Sequence, residues 1–229
     1  MGTNAMKLYE EVILLALRDE EGTTASGAWY QQAVAGAILS ELLLDGHLSV
    51  QSAGRKSFVE LASATPTGDP LIDEVIEKIS ASKRRATAQT WVGRIAGIRK
   101  LKHRAVEGLC RRGILRADED KVLLIFTRRI YPEIDPEPER RLLERLRKAV
   151  FTDASDIETR TVLLVSLANG TGLLAANFDK RQLRARKKRI EMVVNGDVMG
   201  KATKEVVEAV QAAVIVAATI PVIAATTST

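Results

Sequence analysis

Between Gln31 and Leu44 the chain sets Ala33, Ala35, Gly36 and Ala37 close together ahead of Ile38, Leu39, Leu42, Leu43 and Leu44. A helical run with so small a face lets neighbouring backbones approach, so it is expected to sit in a closely packed interior. The rest of the chain supplies the same kind of core. Aromatic residues make up 4% of the sequence against 46% apolar residues overall, so the interior must be built from Ala, Leu, Ile and Val. That supply favours helices over a β-sandwich. At 229 residues the chain suffices for one large domain or two small ones.

Apolar spacing and turn chemistry place the elements. Leu8 to Leu17 is predicted to be an apolar helix, followed by a small-residue loop, GTTASGAWY, that carries Trp29. Short alternating strands near 47–51 and 56–62 predict a hairpin, and TPTGDP leads into the helix LIDEVIEKI. Thr90 to Arg112 reads as helical with a break at Gly97, and Ile98, Leu101, Ala105 and Leu109 share its buried face. A second hairpin is expected to pair Ile114–Arg116 with Val122–Phe126 across ADED. Glu139 to Phe151, Thr159 to Leu174 (broken near Asn169) and Arg181 to Val194 complete the predicted helices. The last stretch, EVVEAVQAAVIVAATIPVIAATTST, reads as a buried helix; Gln211 and Pro221 make it a poor membrane span.

Charge is strongly segregated. Residues 1–80 hold five basic and twelve acidic side chains, a net of −7, whereas residues 83–112 hold ten basic and one acidic, a net of +9. Residues 181–189, RQLRARKKR, hold six basic side chains and no acidic one. Such asymmetry speaks about partners rather than fold. On the helix through 98–112, Arg99 and His103 lie on one flank, and Lys100, Arg104 and Arg111 lie opposite the apolar face. Lys102 falls at the apolar border, where its stem packs while its charge reaches outward.

Signals for catalysis are absent from the sequence. It holds no Walker loop, no GxGxxG and no nucleophile elbow, and His47 and His103 lack partners at metal-ligand spacing. Glu10-Glu11 and Glu20-Glu21 are adjacent pairs, which do not converge on a helix. Asp69 and Asp73 suit turn and helix-start roles. The single cysteine, Cys110, excludes an internal disulfide and is expected to be buried or half-buried, in keeping with a reducing compartment. The chain is therefore read as non-enzymatic, with no cofactor and no metal.

Two partners suit the basic cluster. A basic helix, 98–112, followed by a hairpin resembles the order of a winged-helix nucleic-acid-binding protein. Against that reading, the expected wing carries Asp118, Glu119 and Asp120 at its tip, where phosphates would be met. An anionic membrane surface is the other partner: each Lys or Arg near such a leaflet contributes about 1 kcal/mol. Trp29 in its small-residue loop suits shallow insertion beside it.

Several stretches, in order, resemble the Golgi phosphoprotein 3 family: LYEEVILLALRDEEGT, GAILSELLLDGHL, TPTGDPLIDEVIEKI, TWVGRI with RKLKHRAVEGLCRRGIL, TRRIYP, and NGD with EVVEAVQAAV. The resemblance covers nearly all of residues 7–220. It implies a mainly α fold: a single globular domain of helices packed around a central apolar C-terminal helix, with small β-hairpins. That domain is expected over 7–225, with 1–6 a disordered or vector-derived start.

The resemblance also implies a cytoplasmic protein, peripheral on the inner face of a membrane, of bacterial type. It would bind anionic phospholipid such as phosphatidylinositol 4-phosphate and act as an adaptor for client membrane proteins such as glycosyltransferases. Self-association would run through the hairpin arm at 122–126. The family's headgroup residues fall here on Trp29, Arg99 and Lys102, while its helix Arg falls on Ala35. Arg94, Lys100, Arg104, Arg184 and Lys187 are expected to support the basic face. An acidic N-terminal surface would face away from the membrane or recruit partners.

Overall fold

The structure is a computed structural model that describes residues 6–17, 29–54, 56–122 and 126–198. It is mainly helical, with two small antiparallel hairpins. The segment expected to form the apolar C-terminal helix lies outside the described residues.

Every residue of α1 (Leu8–Ala16) is buried, as are ten residues of α2 (Tyr30–Leu44). In α7 (Thr159–Gly170) the whole run Thr161–Ala168 is buried. A helix that is apolar on all sides can only be satisfied by such enclosure. The hydrogen bonds fix how these helices lie. The Trp29 N–H, at the start of α2, donates to Thr171 O, just past the end of α7, at 3.0 Å. At the other end of both helices Glu41 Oε1 meets Arg160 Nη1 at 3.1 Å. Therefore α2 and α7 run antiparallel, tied at both ends. The start of α1 lies at the far end of α2, where Leu8 N–H donates to Glu41 Oε2 at 2.6 Å. Its last turn is held by Asn177 Nδ2, in α8 (Leu173–Asn177), which donates to Leu15 O at 2.8 Å.

Part of the segregated acidic charge is drawn inward, while Asp45 and Glu77 stay exposed. Glu10, Glu11 and Glu41 are all buried, and each is paired with cations, Arg160 being shared by Glu11 and Glu41. Glu10 pairs with Arg112 at 2.5 Å, and Glu11 with Arg145 at 2.8 Å and Arg160 at 3.4 Å. Burial still pushes the Glu11 carboxyl above the usual carboxylate range, against the pull of Arg145 and Arg160. As expected for neighbours in sequence, Glu10 and Glu11 diverge to different partners.

Strands β1 (Leu48–Ala53) and β2 (Lys56–Leu61) pair from Leu48↔Leu61 to Ala53↔Lys56. Asp69 starts α3 (Pro70–Ser80): its Oδ1 accepts from Leu71 N–H at 2.9 Å and Ile72 N–H at 3.1 Å, with Pro70 at the first helical position. Thr87 caps α4 (Ala88–Ala96). After the break at Gly97, α5 (Leu101–Arg111) closes at Gly113, whose φ of +71° lets Ile114 N–H return to Leu109 O at 3.0 Å.

The second hairpin differs from expectation. Strand β3 is Asp118–Val122 and pairs with β4, Phe126–Ile130, so Asp118, Glu119 and Asp120 belong to a strand rather than to a turn. Ile114 and Leu115 do not enter the hairpin; Leu115 bridges Glu133, and the Ile114 carbonyl accepts from Ile134 N–H at 2.9 Å. Both side chains are buried, so the core takes what alternation alone assigned to a strand arm. The proposed arm at 122–126 lies largely outside the described residues. The helix α6 (Glu137–Phe151) follows. The basic segment splits into α9 (Lys180–Ala185) and α10 (Lys187–Val194) at Arg186, which turns back to the Val150 and Thr152 carbonyls at the end of α6.

Candidate basic binding site at the α4–α5 turn

The link from Gly97 to Lys100 is pinned from below by Ile98 and Leu101, both buried. Arg99 and Lys100 are thereby left exposed at its crest. Lys100 takes a left-handed backbone conformation, φ 58°, at the start of α5. Such a conformation costs a non-glycine residue about 1 kcal/mol, which the flanking apolar anchors offset.

Lys102 sits half-buried, as its position at the apolar border predicts, with its ammonium 5.6 Å from the centre of the Tyr131 ring. On the next residue, His103 Nδ1 and the Tyr131 hydroxyl are 2.5 Å apart. Tyr131 follows β4, and Arg129 near the end of that strand acts on both Tyr131 and His103 through its charge. Burial, then Arg129, Lys102 and Lys100, hold the His103 imidazole below its ordinary value. Two elements distant in sequence thus converge on one cationic cluster. Sequence reasoning missed Arg129 and Tyr131, and it gave His103 no partner. The TRRIYP segment contained them, but only pairing of β3 with β4 brings them to α5.

The other expected residues fare differently. Arg94 is exposed and lies over the buried Trp91 ring at 4.6 Å. Arg104 is not part of an open basic face: its guanidinium pairs with Glu74 and reaches Pro70 O at 3.4 Å. Arg112 is similarly committed to Glu10, and Arg85 to Glu60. Arg184 is exposed on α9, and Lys187 on α10 is exposed with Glu191 at 3.8 Å. Trp29 is 46% exposed at the start of α2. Among the described residues it makes no hydrogen bond or ring contact with Arg99, Lys102 or Tyr131. Ala35 is fully buried in α2, so that position serves helix packing.

No group of three or more His, Cys, Asp or Glu able to hold a metal occurs among the described residues. Cys110 is half-buried, and burial pushes its thiol up, away from the reactive thiolate. Among the described residues no helix is long and apolar enough to cross a membrane.

A family model described as Golgi phosphoprotein 3 (GPP34) matches residues 8–210. The chain belongs to the Golgi phosphoprotein 3 family. Among individual relatives, vacuolar protein sorting-associated protein 74 of Schizosaccharomyces pombe is 32% identical over 151 residues. That match covers 57% of this chain and 44% of the yeast protein, so it spans less than half of the relative's length. Within the Golgi phosphoprotein 3 match fall the whole α4–α5 turn, the second hairpin and the ion pairs of Glu10 and Glu11.

Proposed function

We propose that this Golgi phosphoprotein 3 family member is a non-enzymatic peripheral membrane protein that docks on anionic phospholipid through the α4–α5 turn. The observation that carries this reading is the exposed crest of Arg99 and Lys100 beside Lys102, joined by a further cation, Arg129, from β4. Long-range attraction from the basic regions brings the molecule to an anionic leaflet. Arg99 and Lys102 then hold lipid phosphate, with phosphatidylinositol 4-phosphate as the headgroup the family resemblance favours. Arg94, Lys100, Arg184 and Lys187 add sequence-independent attraction, and Trp29 inserts at the interface. Arg104 contributes to folding through Glu74 rather than to docking.

In this reading the protein works at the cytoplasmic face as an adaptor for client membrane proteins, glycosyltransferases among them. Self-association through the 122–126 arm would multiply weak contacts. Duplex nucleic acid is the less favoured partner, because Asp118 and Glu119 stand exposed on the strand that would approach phosphates.

Flotation with phosphatidylglycerol-containing vesicles tests the docking. Removing two surface cations at about 1 kcal/mol each weakens vesicle partitioning by about 30-fold. Arg99→Ala/Lys102→Ala is therefore expected to leave the floated fraction, whereas wild type floats and is released by salt. Equal recovery of both proteins rejects the site.

A further inference from the structure

We propose that the His103–Tyr131 pair, within the field of Lys100, Lys102 and Arg129, forms a proton-coupled phosphate subsite in which an arriving anion draws one proton from solvent onto His103 Nδ1. This rests on the docking reading of the same turn and deepens it.

The geometry sets the chemistry. His103 Nδ1 and the Tyr131 hydroxyl are 2.5 Å apart; in the proposed neutral state the ring carries its proton on Nε2, the tautomer in which the hydroxyl donates to Nδ1. Three cations, Lys100, Lys102 and Arg129, act on this ring, and burial adds to their effect. All four influences oppose a further positive charge on His103. Tyr131 itself is buried, with Arg129, Cys110 and Glu107 as charged or titratable neighbours besides His103 and Lys102. Across the hairpin, Glu119 lies opposite Arg129 in register.

A phosphate ester placed among the cations removes the field that keeps His103 neutral. Protonation at Nδ1 then reverses the bond: Nδ1–H donates to the Tyr131 oxygen, and the hydroxyl proton turns away from the ring. It becomes available as a donor to the phosphate, which thereby gains a charge-assisted hydrogen bond from a neutral donor in addition to the cations. Linkage makes the coupling reciprocal: if the anion favours the proton, the proton favours the anion. Binding therefore tightens as pH falls towards the ordinary imidazole range. Lys102, with its ammonium 5.6 Å from the centre of the Tyr131 ring, is the cation located beside the pair.

The experiment follows the imidazole resonances of the wild-type protein by NMR through a pH titration. Two histidines are present, so His47 provides an internal reference. The probes are phosphatidylglycerol vesicles, whose phosphodiester does not titrate in this range, and inorganic phosphate alone. The His103 midpoint is expected to rise with bound anion relative to the His47 signal. A rise with vesicles alone assigns a lipid source, and a rise with inorganic phosphate assigns phosphate recognition as such.

In flotation, wild type is expected to bind severalfold more tightly at pH about 5.5 than at about 7.5, and His103→Gln to lose that difference. If vesicles carry the protein up but the His103 midpoint stays fixed, the proton coupling is wrong and the docking stands. A midpoint that moves with inorganic phosphate, without flotation, keeps the coupling and removes the membrane reading. An unchanged midpoint with both probes overturns the proposal, as does an unaltered pH dependence in His103→Gln.

Discussion

Arg160→Ala is expected to destabilise the protein by about 3 kcal/mol at neutral pH, because it strands buried carboxylates. Arg160 joins three helices: Nη1 meets Glu41 Oε1 at 3.1 Å, Nε lies 3.4 Å from Glu11 Oε2, and Nη2 donates to Met6 O at 2.6 Å. The Glu11 and Glu41 side chains are only 5% and 6% exposed, while that of Arg160 is 27% exposed. Removing one partner of a buried pair costs about 3–5 kcal/mol. The lower end applies here, because solvent reaches Arg160 and because Arg145 at 2.8 Å and Lys7 at 3.8 Å remain to serve the two carboxylates.

For a domain of this size that loss lowers Tm by about 6–12 °C. Urea titration monitored by circular dichroism gives the free energy directly. Acid should narrow the deficit. The Glu11 carboxyl already titrates above its ordinary range when folded, through burial, and loss of Arg160 pushes it higher. A carboxyl raised in this way holds a proton that the unfolded chain releases, so the variant recovers stability as pH falls through the raised value. Arg160→Lys, which keeps one charge, should lie between the two. A loss below about 1 kcal/mol, or a deficit that does not change with pH, would falsify the view that Arg160 neutralises buried acids.

Other expectations follow from the same contacts. Asp69→Ala removes the acceptor for two helix N–H groups and for the Tyr9 hydroxyl at 2.6 Å; a loss of about 2 kcal/mol is expected in urea titration. Trp29 is exposed and Trp91 buried, so vesicle binding should blue-shift fluorescence in wild type and leave Trp29→Phe unchanged. A shift that persists in Trp29→Phe would move the insertion elsewhere. Cys110, held protonated by burial and Glu107, should react with a thiol reagent at pH about 7.5 far more slowly in the folded than in the urea-unfolded protein. Comparable rates would mean that the thiol is open.

Helix ends and buried stripes were legible in the sequence because both are local. Gly113 stops α5 through its positive φ, Asp69 caps α3 two and three residues ahead, and Ile98, Leu101, Ala105 and Leu109 repeat at helical spacing. The candidate site was only partly legible. Arg99 and Lys100 are exposed and Lys102 lies at the apolar border as read, but Arg104 looked equally open and is not. Its partner Glu74 lies 30 residues away, and Tyr131 lies 28 residues from His103. The second hairpin was misregistered because Ile114 and Leu115 look like a strand arm until the core claims them.

The sequence by itself determined a mainly helical chain with capped helix ends, a basic turn and segregated charge, since propensity, spacing and capping act within a few residues. Tertiary structure alone decided which charges are spent on each other. Glu11 finds Arg145 across 134 residues, Glu10 finds Arg112, and Arg129 arrives beside His103 from another element. Charge attraction carries no information about sequence separation; only the packed backbone brings the partners within reach.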